Sequence, residues 1–110
     1  ADLLVLHNVQ EESEYLIDLA KILVKSCEQV TKLMYKLEKF NNIDETLEVI
    51  ADYRRKARKV YRNSVSYLFS GELKSFEVLK LKDITEALYD TIHLTDHVGE
   101  IVEAITLKHS

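Results

Sequence analysis

Along most of this chain apolar residues recur at alternating intervals of three and four, the period of one face of an α-helix. Between about Ser13 and Phe40 they fall at Leu16, Ala20, Leu23, Cys27, Val30, Met34 and Leu37, while Lys21, Lys25, Glu28 and Lys32 fall elsewhere, which predicts a helix with a solvated back. Asn41 and Asn42 mark its end and the next beginning, because asparagine tolerates the left-handed conformation that closes a helix and also caps N-termini. Glu45, three residues beyond Asn42, completes a capping box. A second helix is predicted from about Ile43 to Phe69, with Leu47, Ile50, Ala57, Tyr61, Ser64 and Leu68 on one stripe and Arg54 in its gap. Ser70 and Gly71 supply the stop. The third helix is expected to start at Ser75 as its cap and to run to about Leu107, burying Ile84, Leu88, Thr91, Thr95, Val98, Ile101, Val102 and Ile105. Gly99 inside it costs about 1 kcal/mol relative to alanine, which predicts close packing of a neighbouring helix there. The opening stretch Ala1 to Gln10 reads as the end of an earlier helix, as a strand-like run, or as the start of the first helix.

Short loops between three long helices force antiparallel neighbours, so the expected fold is all-α, an antiparallel up-down bundle forming one domain over residues 1–110. Composition agrees: proline is absent and glycine occurs only at Gly71 and Gly99, which removes the strongest helix interrupters. No apolar run approaches the roughly 18 residues needed to span a bilayer, so no membrane insertion is expected. The net charge of −4 argues against a nucleic-acid binder, since phosphate backbones demand a positive surface. The single cysteine, Cys27, has no internal partner and fits the reducing cytoplasm; its place on the apolar stripe predicts burial. A first residue Ala1 in place of methionine is expected of a trimmed, processed or partial chain.

The densest charge feature is Arg54, Arg55, Lys56, Arg58, Lys59 and Arg62. Arg54, Arg58 and Arg62 share a broad arc that could hold a phosphate or an acidic partner; the plainer reading is a solvated face ion-paired with the acidic third helix. On that helix Glu86, Asp90, His93, His97 and Glu100 line one stripe, where two histidines one turn apart could hold two corners of a zinc-type site. The plainer reading is again a wet surface. Tyr35, Tyr53, Tyr61 and Tyr67 sit at amphipathic borders and read as packing residues with wet hydroxyls. His93 is followed by Leu94, so there is no HExxH, and no glycine-rich phosphate loop, nucleophile elbow or CxxC pair occurs. No reaction is specified, and a non-enzymatic role is expected.

The stretches Leu81 to Leu88 and Thr95 to Lys108, with their TDH-like turn and Ile-x-Leu-Lys ending, resemble the C-terminal end of the PhoU-like family of phosphate-transport accessory proteins, often encoded beside Pit-type transporters. The resemblance runs back through Tyr61–Phe69 and Leu19–Cys27 and covers about Glu11 to Ser110. That family is built of two tandem three-helix repeats, and this chain is similar to the second alone, with Ala1 to Val9 as the tail of the preceding helix. The resemblance implies a regulatory or accessory protein of inorganic phosphate transport, partnered by a phosphate transporter or its regulatory machinery at the cytoplasmic membrane face. A half-molecule also implies self-association or pairing with a missing N-terminal repeat, and Ile17, Ile22, Leu33 and Phe40 widen the apolar stripes beyond what a three-helix core needs. The family's metal-binding acids correspond here to Arg54 and Arg58 on the second helix and to Ile92 and Asp96 on the third, so one of the four remains. No resident metal or other cofactor is therefore expected; Arg54 and Arg58 should face Asp96 as an ion-pair or anion-binding group. The alternative is a metal-storing or metal-sensing bundle using Glu86, Asp90, His93, His97 and Glu100.

Overall fold

The computed structural model describes residues 2–70 and 76–109. They form three helices, α1 (Asp2–Glu38), α2 (Asp44–Ser70) and α3 (Phe76–Lys108), packed as an up-down bundle measuring 61 × 19 × 17 Å. From Asp2 onward the opening stretch is the first part of α1, with no break before Ser13. Gly71 and Ser75, the expected stop and cap around the second connection, lie outside the described residues.

The first connection is tight for a local reason. Asn41 N–H donates to Lys36 O at 2.9 Å and Phe40 N–H to Leu37 O at 3.1 Å, the paired bonds of a Schellman cap. The left-handed residue is Phe40, at φ 56°, rather than an asparagine. Asn42 performs the second expected task, its Oδ1 accepting from Asp44 N–H at 2.8 Å to cap α2.

Buried positions repeat every seven residues: Leu19, Ser26 and Leu33 on α1; Ile43 just before α2 and Ile50, Ala57 and Ser64 on it; Thr85, Ile92 and Gly99 on α3. That is the knobs-into-holes period of helices wound on one another. The core divides into two clusters, Leu19–Ala57–Ile92 and Leu33–Ile43–Ile50. Between them along the helices fall Ser26, Arg54, Thr95 and Asp96, a polar band inside the bundle.

The inner stripe of α2 is the one the sequence predicts, but those of α1 and α3 are turned. On α1, Cys27 is exposed and Met34 is 43% exposed, while Leu19, Ser26 and Leu33 take the centre. On α3, Ile84, Thr91, Val98, Ile101 and Ile105 face outward. The cause is a second seam on each helix, one position away from the core seam. On α1 it holds Ile17, Val24 and Thr31 alternating with Ala20, Cys27 and Met34; on α3, Ile84, Thr91, Val98 and Ile105 alternating with Ala87, Leu94 and Ile101. Two adjacent seams blur into one broad stripe when only spacing is read. Of the four widening residues, Leu33 is in the core and Ile22 packs against it, whereas Ile17 and Phe40 are exposed.

Gly99 lies where a close approach was expected: a Cβ there would stand 3.3 Å from Leu47 Cδ2.

Candidate functional site

The α2/α3 side carries a groove of about 300 Å³ whose lining includes Asp44, Glu48, Arg54, Asp96, Glu100 and Glu103, with Leu47 and Gly99 at its base. It exists because Gly99 has no side chain and because heptad spacing aims Arg54 inward, one step before Ala57. Arg54 Nε stands 2.6 Å from Asp96 Oδ2, with the side chains 26% and 11% exposed. Its N–H is not aimed at an acceptor, so the contact is a close charge pair rather than an aligned hydrogen bond. A guanidinium holds its charge when partly buried, which suits this place.

Arg58 is exposed and makes no ion pair among the described residues, so the structure brings together two of the three expected partners. The rest of the basic run is not paired with α3. Arg55 Nη2 reaches Glu48 Oε1 at 2.8 Å and Asp52 Oδ1 at 3.6 Å, and Lys56 Nζ reaches Asp52 Oδ2 at 3.3 Å, all within α2. These wet pairs contribute about 0–1 kcal/mol each. Lys59 and Arg62 face solvent.

The stripe Glu86, Asp90, His93, His97 and Glu100 lies along the outer side of α3, with Glu86 half-buried and the others exposed. His97 Nδ1 approaches Glu100 Oε2 at 3.6 Å and Glu86 pairs with Lys82 at 3.6 Å. Among the described residues no three His, Cys, Asp or Glu side chains converge into a group able to hold a metal ion. His93 instead meets Tyr89 edge-on at 6.2 Å, and Tyr89 stacks on Tyr61 at 4.6 Å. Burial against this stack, followed by the Glu86 carboxylate, pushes the Tyr61 phenol up; Lys82 opposes and Asp90 and Tyr89 add. Tyr61 and Tyr67 are half-buried, the latter against Tyr15, whereas Tyr35 is 63% exposed.

Sequence reasoning missed the groove's acidic rim. The available signal was Asp96, Glu100 and Glu103 at spacings of four and three on α3, opposite Asp44 and Glu48 on α2. No helix among the described residues is long and apolar enough to cross a membrane. Fold and site together define a three-helix bundle with a charged groove between α2 and α3 and an apolar one between α1 and α3. No family model matches the chain, and no curated protein or solved structure matches it either.

Proposed function

We propose that this chain is a non-enzymatic accessory or regulatory protein of inorganic phosphate transport, acting by protein contact at the cytoplasmic face of the membrane. The α3 resemblance supplies the pathway. The observation that carries the mode of action is the Arg54–Asp96 pair at 2.6 Å, sited where that resemblance would put metal ligands. A side-chain cation there meets the Asp96 charge from within, so this end of the groove needs no bound cation. Asp44, Glu48, Glu100 and Glu103 then form an acidic rim around it. Cytoplasmic loops of membrane transporters are rich in Lys and Arg, so a basic transporter loop is the complementary partner.

The test is phosphate uptake in cells of the source organism with the gene deleted. Uptake should change at least about fivefold, the lower end of regulatory coupling, and return with the wild-type chain but not with E100K/E103K, two exposed changes that leave the core intact. Uptake indifferent to deletion would overturn the reading.

A further inference from the structure

We propose that the outward face of α2 between Arg55 and Arg62 docks on the anionic headgroups of a lipid bilayer, adsorbing to that surface without entering it. From Tyr53 to the end of α2 at Ser70 the sequence holds six bases and no acid. Arg54 turns inward to Asp96, whereas Arg55, Lys56, Arg58, Lys59 and Arg62 are all exposed. Those five cations occupy roughly 10 Å of helix, by its rise per residue. Arg55 and Lys56 share the Asp52 carboxylate, and Arg55 also reaches Glu48. Arg58, Lys59 and Arg62 make no ion pair among the described residues.

The flanking helices do not cancel this cluster. Around the same level α1 presents Glu14 and Asp18 against Lys21 and Lys25, an even balance, and α3 presents Asp83, Asp90 and Glu86, the last on Lys82. With α2 laid on a surface, α1 and α3 stand one helix further back, roughly 8–10 Å. That is about the Debye length at physiological salt, so their charges reach the surface largely screened. The net charge of −4 is no obstacle for the same reason. The acidic groove rim lies toward the other end of the bundle, Glu48 being roughly 16 Å along α2 from Lys59.

Shape favours a sheet of headgroups over a single bound anion. Lys56 and Arg58 splay to opposite sides of the row Arg55, Lys59 and Arg62, so the cations diverge over a convex face. One phosphate needs donors that converge, whereas a surface meets them as they stand, because long Lys and Arg side chains reach sideways to it. The choice of a bilayer over other polyanions rests on the membrane-face reading above, since the cytoplasmic leaflet carries the acidic lipids. The two surfaces then match the two charges found there: the groove faces basic loops and the α2 face acidic lipid.

Co-sedimentation of the full chain with vesicles of equal parts phosphatidylglycerol and phosphatidylcholine tests it, and needs no transporter, so either reading can fail alone. Binding is expected to these vesicles and not to phosphatidylcholine alone, and is lost in about 1 M salt, where the Debye length falls to roughly 3 Å. R58Q/K59Q/R62Q should weaken it about a hundredfold with unchanged helical circular dichroism, at about fivefold per cation removed. D52N, which frees Arg55 and Lys56, should tighten it about fivefold. E38Q removes an equal charge from an exposed site near the Phe40 turn and should leave it unaltered. No binding, equal binding to neutral vesicles, a triple variant that binds as wild type does, D52N no tighter than E38Q, or preference for a nucleic-acid duplex at equal phosphate concentration would each overturn the proposal.

Discussion

Replacing Asp96 by asparagine keeps the shape of the side chain and removes its charge, which isolates the pairing with Arg54. The two groups are 2.6 Å apart with side-chain exposures of 26% and 11%, between an exposed pair and a buried one. Exposed pairs contribute about 0–1 kcal/mol. Breaking a fully buried pair costs about 3–5 kcal/mol, because the remaining charge has no partner. The asparagine carbonyl still offers Arg54 an acceptor, and the Nε–H is not well aimed to begin with, so the expected loss is about 2 kcal/mol. At the entropy of unfolding of a domain this size that lowers Tm by roughly 8 °C. The assay is urea unfolding at a concentration where the chain is monomeric, repeated for Arg54→Met and for the double variant. The cycle should return a coupling of about 1–2 kcal/mol between the two positions. An Asp96→Asn change within about 0.5 kcal/mol of wild type, the range of ordinary surface substitutions, would refute the reasoning.

Phe40→Gly should stabilise the protein by about 1 kcal/mol, because Phe40 holds a left-handed φ of 56° and is 97% exposed, so glycine relieves strain without losing packing; a urea midpoint at or below wild type would contradict this. Thr46→Val should raise stability by about 1 kcal/mol, since the Thr46 hydroxyl is buried with no hydrogen-bond partner in a residue 1% exposed; calorimetry reads it directly. Tyr61 carries a sign that can be checked. Its phenol is pushed up in the folded chain, so folded and unfolded states are both neutral below about pH 10, and above it the unfolded phenol ionises first. Stability therefore falls as pH rises past that point, and urea midpoints for Tyr61→Phe should fall less steeply between about pH 9 and 11. Equal slopes would place the phenol in open water.

Helix number, order and most boundaries were legible because punctuation in this chain is sparse and chemically plain: Asn42 caps α2 as its side chain requires, and proline is absent. The C-terminal residue of the first turn was not. Either of two asparagines suited the left-handed site better than Phe40, and only the main-chain Schellman bonds from Phe40 and Asn41 back to Leu37 and Lys36, which spacing does not reveal, fix which residue occupies it. The inward faces of α1 and α3 were legible to within one position, and one position is enough to exchange Cys27 for Ser26, or Thr91 for Ile92. Burying serine while exposing isoleucine contradicts a hydrophobicity rule applied helix by helix. It follows once three helices must approach closely along small residues and a second seam is left facing out. Arg54 opposite Asp96 could be read from the family resemblance, whereas Arg58 could not be excluded, because four residues carry a helix only about 40° past a full turn, enough to move Arg58 from the half-buried flank that Leu47, Arg54 and Tyr61 share to the exposed face.

The division of the core into two apolar clusters with a polar band between them bears on how the molecule breathes. Cooperative unfolding propagates through shared apolar contacts, and across the level of Ser26, Thr95 and Asp96 those contacts are thinned. The end built on Leu33, Ile43 and Ile50 is closed by the short Phe40–Ile43 turn, so its amides should exchange with solvent only on global unfolding. The other end, held by Leu19, Ala57 and Ile92, can open as a unit of its own, the distal part of α1 parting from α2 and α3, which the chain joins at that end, while the Arg54–Asp96 pair holds the level between the clusters.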